Sequence, residues 1–140
     1  MASTLYTPEI LRLATQIPHL GRLEAPMASD ERRAPICGSR IHVDIAVDAD
    51  GRVSAFGQEV RACALGQASA SLLGAHIMGR TADELSDVAA RLAGWLAGGQ
   101  PMPDWPGLTL FDAARAHPGR HGAICLPFEA AAAAARQARG

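Results

Sequence analysis

Apolar and polar residues alternate in the second quarter of the chain. The apolar members of this alternation are Ile41, Val43, Ile45 and Val47. A period of two predicts a β-strand with one buried face, which leaves Asp44 and Asp48 on the solvated face. The dipeptide Asp50-Gly51 predicts a hairpin turn. Two further short strands are expected at residues 52–56 and 59–62.

Helical periodicity precedes and follows these strands. Thr7 can cap a first helix with Pro8 in its first turn, ending before Pro18. Apolar residues at helical spacing follow residue 63. Thr81 and Glu84 form a capping box at the start of a clearly amphipathic helix.

The remaining segments complete the expected architecture. Residues 21–35 are expected to form a connecting loop, and Pro127 suits the first turn of a last, alanine-rich helix. The order of helix, strands and helices predicts an α+β fold. We expect a small three-stranded antiparallel sheet covered on one face by helices. The length of 140 residues suits a single domain over residues 1–140.

Composition narrows the range of partners. The formal net charge is −1, and all thirteen basic residues are arginines scattered along the chain. This pattern does not favour nucleic-acid binding. The sequence shows no apolar stretch long enough to span a membrane and no export signal, so a cytoplasmic location without membrane association is expected.

The three cysteines carry the most chemical information. An odd number of thiols without an export signal argues against a disulfide framework and leaves metal ligation, sulfur chemistry or inert burial. Cys37 precedes the first predicted strand. Cys63 and Cys125 are expected at helix N-termini, where the helix dipole favours the reactive thiolate. Spacing alone does not separate a joint site from three unrelated buried cysteines.

With their flanking residues, the cysteines resemble the motifs of a known family. Cys37-Gly38 stands before a strand, and Cys63 is followed by the small residues 68–71, Ala-Ser-Ala-Ser. Cys125 stands where a third motif belongs. This set resembles the U-type iron–sulfur cluster scaffold family, which includes the NifU N-terminal domain, IscU and SufU. The long segment 105–120 is more similar to the SufU type.

The resemblance implies a fold, a site and partners. It implies a SufE/NifU-like α+β fold and a scaffold rather than an enzyme. Cys37, Cys63 and Cys125 would transiently bind iron or a [2Fe–2S] cluster. Sulfur would come from a cysteine desulfurase, and apo iron–sulfur proteins would receive the cluster.

One motif residue departs from the family pattern. Ser39 stands where the family has an aspartate ligand, and a neutral hydroxyl binds metal poorly. The fourth ligand would then be Ser39 itself, His121, water or substrate. A homodimer that shares one cluster would also supply it.

The sequence leaves two alternatives open. In the first, the protein is a zinc-dependent sulfurtransferase in which Cys125 accepts persulfide sulfur from the desulfurase. In the second, it is a relative that has kept the fold and lost the site. Arg61 and Arg120, close to Cys63 and Cys125, suit either stabilisation of thiolates, contact with an acidic partner, or an ordinary surface role.

Overall fold

The computed structural model describes residues 5–35 and 38–139. The helices and strands, in chain order, are α1 (Pro8–Ala14), β1 (Ala28–Ala34), β2 (Ser39–Val47), β3 (Val53–Arg61), α2 (Ala64–His76), α3 (Ala82–Leu96), two 3-10 helices (Leu108–Ala116 and Pro118–Arg120) and α4 (His121–Arg139). None of the described helices combines the length and apolarity that a membrane span needs.

The sheet is antiparallel with strand order β1-β2-β3. The side chains of Ile41, Val43 and Ile45 are buried on one face of β2. α4 packs on β1 and β2, while α2 and α3 pack against α4 and α1 packs against α2. The predicted α+β fold with a three-stranded sheet is therefore confirmed.

The strands differ from the prediction in two places. β1 lies within residues 21–35, where the sequence predicted a loop. The strand was missed because it is a half-exposed edge strand without apolar alternation. The two short strands expected at 52–56 and 59–62 form one strand, β3. Its middle residues, Gly57 and Gln58, are buried.

A backbone segment explains the burial of Gly57. Gly21 N–H donates to the carbonyl of Gln58 at 2.8 Å, and Gln58 N–H donates to the carbonyl of His19 at 2.9 Å. A Cβ on Gly57 would lie 2.6 Å from the oxygen of Gly21. Only glycine at this position lets residues 19–23 cross the outer face of the sheet.

The crossing segment also covers Asp44, which the sequence placed on a solvated face. The Asp44 side chain is 0% exposed. It accepts hydrogen bonds from Arg22 Nε at 2.7 Å, Leu23 N at 3.0 Å, Ser29 Oγ at 2.6 Å and His42 Nε2 at 2.9 Å. Burial by itself raises the pKa of Asp44, but the bonds from Arg22, Ser29 and His42 outweigh it and hold the pKa well below its usual range.

The last helix begins earlier than predicted. α4 starts at His121, so Pro127 lies inside the helix rather than in its first turn. Proline has no N–H, and the carbonyl four residues earlier, that of Ala123, therefore loses its helical donor. Most of the alanine run that follows is buried in the core.

Candidate functional site

One end of the sheet gathers the segments that carry the cysteines. Because β2 and β3 are antiparallel, the start of β2 and the end of β3 meet, and Arg40 pairs with Arg61 there. Gly38 N–H donates to the carbonyl of Ala34 at 2.9 Å across the β1–β2 connection. The φ of Gly38 is +70°, a conformation that favours glycine. Cys37 itself lies outside the described residues.

Cys63 lies where the sequence predicted, at the N-terminus of α2. It is the N-cap residue, with extended backbone angles of φ −64° and ψ 169°, and its side chain makes no capping hydrogen bond. The side chain is partly exposed. A thiol so placed is accessible to a metal ion or to a sulfur donor, next to the unpaired N–H groups of the first helical turn.

The first turns of α4 pack between the start of α2 and the end of β1. A Cβ on Gly66 would lie 3.3 Å from the carbonyl oxygen of Ala123, and a Cβ on Gly122 would lie 3.6 Å from the Cβ of Ala34. Ser69 Oγ donates to the carbonyl of Ile124 at 2.5 Å. Gly66 and Ser69, in the motif that follows Cys63, thus hold α2 against the part of α4 that carries Cys125.

The environment of Cys125 differs from the prediction. Because α4 begins at His121, Cys125 lies in its second turn rather than ahead of a helix. Its side chain is buried, with 5% exposure. Burial, with a contribution from the negative charge of Glu129, raises the pKa of the Cys125 thiol to about 12. The expected helix-dipole activation is therefore absent at Cys125, and its thiol is protonated at neutral pH.

The two residues considered as a fourth ligand lie at the same end. Ser39 is buried and begins β2 on the helix-covered face that it shares with Ile41. His121 is not an exposed loop residue, because it opens α4 and is half-buried. Its Nε2 lies 3.0 Å from the carbonyl of Ala114 and 3.2 Å from that of Arg115.

Those carbonyl contacts define the chemistry of His121. Since both partners are acceptors, Nε2 carries the proton and Nδ1 keeps its lone pair in the neutral ring. Within residues 5–35 and 38–139, no three His, Cys, Asp or Glu side chains gather closely enough to hold a metal ion. Cys63, Cys125 and His121 therefore do not by themselves form a metal-binding cluster in the described part of the chain.

Comparison with known proteins identifies the family of the chain. Residues 5–103 match the family model described as the NifU-like N terminal domain. The match covers more than half of the chain, so the chain belongs to this family, as the U-type motifs implied. No curated protein sequence matches the chain significantly.

Two solved structures show the same fold. One is the crystal structure of a nitrogen-fixing NifU-like protein (N-terminal) from Brucella abortus, whose sequence is 34% identical to this chain. The two structures superpose with a TM-score of 0.90 over 96% of this chain and 94% of that chain. A candidate iron–sulfur cluster assembly scaffold protein for the SUF system from Fervidobacterium islandicum AW-1 is 19% identical. Its TM-score is 0.81 over 94% of this chain and 96% of that chain.

Proposed function

We propose that this protein is an iron–sulfur cluster assembly scaffold. Cys37, Cys63 and Cys125 bind iron and sulfide transiently and release the assembled cluster, a [2Fe–2S] unit, to apo iron–sulfur proteins. The observation that carries the proposal is the packing of Gly66 against Ala123. In a chain of this family, it brings the helix that begins after Cys63 against the first turns of the helix that carries Cys125.

The two described thiols have different tasks in this function. Cys63 is partly exposed and is the first to meet iron or a sulfur donor. Cys125 is buried and protonated, and it becomes a ligand only as it gives up its proton to solvent. A bound iron cation drives that step, because it deprotonates a coordinating thiol. Cluster loading therefore releases protons and is favoured by higher pH.

The fourth ligand is most simply His121. A histidine that ligates a metal usually donates its other ring N–H to a carbonyl or carboxylate, which fixes the ring. The contacts of His121 Nε2 with the carbonyls of Ala114 and Arg115 are of this kind and leave Nδ1 available. Ser39 in place of aspartate gives a weaker site. A weaker site suits a cluster that must be handed on.

Iron and sulfide content after anaerobic reconstitution with ferrous iron, a cysteine desulfurase, cysteine and a thiol reductant, which reduces the persulfide sulfur to sulfide, tests the proposal. Stoichiometric iron and sulfide are expected in the wild-type protein and in a Ser54→Ala control, which changes an exposed position on β3. We expect loss of the cluster in Cys37→Ala, Cys63→Ala and Cys125→Ala. Retention of the cluster in any one of these three variants would contradict the three-cysteine site.

The same preparation distinguishes the alternatives. Tightly held zinc that iron does not displace, with one added sulfur atom on Cys125 by mass spectrometry, would support the zinc-dependent sulfurtransferase. In that reaction the Cys125 thiolate attacks the outer sulfur of the desulfurase persulfide. The donor S–S bond breaks, and the desulfurase thiolate leaves. Absence of any metal would instead support a fold that has lost its site.

We place this function in the cytoplasm, where thiols stay reduced.

Ser39→Asp and His121→Ala separate the contributions of the two candidate ligands. We expect Ser39→Asp to slow removal of iron by a chelator, because a carboxylate replaces a hydroxyl. His121→Ala is expected to accelerate that removal. Unchanged chelation kinetics in His121→Ala would exclude the imidazole as a ligand.

A further inference from the structure

Three arginines are aligned across the sheet at the end that carries the candidate site. Arg33 on β1 pairs with Arg40 on β2, and Arg40 pairs with Arg61 on β3. Arg40 alternates with the buried Ile41, so these side chains share the outer face, away from the helices. Neighbouring strands lie about 4.8 Å apart, so this arginine row spans roughly 10 Å.

The arginine row is unfavourable for the isolated chain. Like charges directly opposite each other on neighbouring strands destabilise a sheet. None of the three arginines forms an ion pair with an acidic side chain in the described part of the chain. Arg33 and Arg61 are exposed, and Arg40 is half-buried. An anionic group bound from outside would relieve this repulsion.

The position of the arginine row connects it to the candidate site. Arg61 precedes Cys63 by two residues, and Arg33 and Arg40 stand on the two sides of the connection that contains Cys37. A molecule bound to the arginine row would therefore lie next to the partly exposed thiol of Cys63.

The next row of the same face has the opposite character. It consists of Glu31, His42 and Glu59, again paired across the three strands, and we call it the Glu–His–Glu row. A cleft of about 180 Å³ lies between the two rows and is lined by Glu31, Arg40, His42, Glu59, Val60 and Arg61.

We propose that the arginine row docks a carboxylate-rich segment of the protein that donates sulfur. This rests on the proposed function, which requires such a donor to bring its sulfur to Cys63. A nucleic acid fits less well, because Glu31 and Glu59 repel a polyanion beside the arginines and the net charge is −1. A protein segment that presents carboxylates to the arginine row and a basic residue to the Glu–His–Glu row matches both.

The test is the affinity of the full-length protein for a purified cysteine desulfurase, measured by calorimetry at low and at moderate salt. Arg33→Glu, Arg40→Glu and Arg61→Glu are each expected to weaken binding roughly tenfold, and the triple reversal more than a hundredfold. Wild-type binding is expected to weaken as salt increases, whereas the residual binding of the triple variant should depend less on salt. Arg91→Glu is the matched control, an exposed arginine on α3 that pairs with Asp87.

A second measurement separates docking from cluster assembly. Reconstitution with ferrous iron and sulfide, without desulfurase, is expected to be unchanged in the triple variant. Loss of this chemical reconstitution in a folded triple variant would assign the row to the cluster site and overturn the docking proposal. Failure of the wild-type protein to reconstitute would refute the proposed function. The desulfurase affinities of the wild-type protein and the triple variant would still test the docking proposal separately.

Other outcomes also overturn the proposal. Desulfurase affinity that is equal in the wild-type protein and in the triple variant would do so. Desulfurase binding that survives while transfer to an apo acceptor slows would assign the row to the acceptor. Retained desulfurase affinity together with lost binding of a single-stranded oligonucleotide would assign it to nucleic acid. A triple Arg→Gln set, compared by circular dichroism and thermal melting, provides a folded variant without introduced acids.

Discussion

Replacement of Asp44 by asparagine removes a buried negative charge from the crossing point of residues 19–23. Asp44 accepts from Arg22 Nε, Leu23 N, Ser29 Oγ and His42 Nε2. Within the described part of the chain, none of these four donor atoms has another hydrogen-bond acceptor. Asparagine keeps one acceptor oxygen but places an NH₂ group opposite donors. We therefore expect Asp44→Asn to fold with a weakened attachment of the crossing segment.

The expected loss of stability follows from the hydrogen bonds. A bond to a charged group contributes about 1.5–3 kcal/mol, and a buried donor left without a partner costs about 1–3 kcal/mol. Arg22 has a half-exposed side chain (51%), so water replaces part of its interaction. We expect Asp44→Asn to lower the free energy of unfolding by about 2–4 kcal/mol at pH 7. Such a loss is a large fraction of the ~5–15 kcal/mol of a typical domain.

The pH dependence gives a second, independent signature. The pKa of Asp44 is lowered in the folded state, so on acidification the unfolded state takes up the proton first. The stabilisation is therefore complete above the ordinary aspartate pKa of about 3.9. It is lost as the pH falls from there through the lower folded pKa. The difference between wild type and Asp44→Asn should be constant from about pH 5 to 8 and should shrink below about pH 4.

Urea denaturation followed by circular dichroism at a series of pH values measures both quantities. Glu59→Gln is the matched control, because it neutralises an exposed carboxylate on the same face of the sheet. It should change the free energy of unfolding by less than about 0.5 kcal/mol. A change equally small in Asp44→Asn at pH 7 would refute the argument, as would a difference from wild type that does not diminish in acid.

Three further predictions concern packing, thiol access and helix capping. Gly57→Ala is expected to lower the free energy of unfolding by about 1–3 kcal/mol, because the new Cβ would lie 2.6 Å from a backbone oxygen. Gly119→Ala is the control: a Cβ there would have nothing within 4 Å, so the free energy of unfolding in the same urea assay should change little. Iodoacetamide is expected to alkylate the partly exposed Cys63 at least roughly tenfold faster than the buried Cys125 in the native protein, as followed by mass spectrometry. Thr81→Ala removes the capping box of α3 and should cost about 1 kcal/mol, measured by thermal melting.

Each of these predictions has an internal control. Urea should remove the difference between the two thiols, and equal alkylation rates in the native protein would show that Cys125 is accessible. A Gly57→Ala variant as stable as Gly119→Ala would contradict the close crossing of the sheet. Thr81→Ser keeps the capping hydroxyl, so it should melt close to wild type if the cap is the cause.

Local signals in the sequence were sufficient for several elements. The alternation of Ile41, Val43 and Ile45 identifies β2, and the Thr81–Glu84 capping box identifies the start of α3. These signals depend only on residues close in sequence. β1 escaped prediction because its burial is slight and its sequence, Ala-Ser-Asp-Glu-Arg-Arg-Ala, shows no apolar period.

The missed features depend on contacts between distant segments. Asp44 is buried by residues 22–23, which no periodicity of β2 can reveal. The placement of Cys63 at a helix N-terminus was correct, whereas the burial of Cys125 depends on the early start of α4 and on its packing against α2. The alignment of Arg33 with Arg40 requires the register of the unpredicted strand β1.

Pro127 makes the second turn of α4 a natural pivot. A helix bends at lower cost where a ladder hydrogen bond is missing. Cys125 precedes this point and Phe128 follows it, and both side chains are buried in the core. We expect a bend there to break local contacts such as the hydrogen bond between Ser69 and the carbonyl of Ile124 while the part of the helix after Pro127 stays packed. We therefore expect exposure of the Cys125 thiol to metal to need a local bend of α4 rather than unfolding of the whole chain.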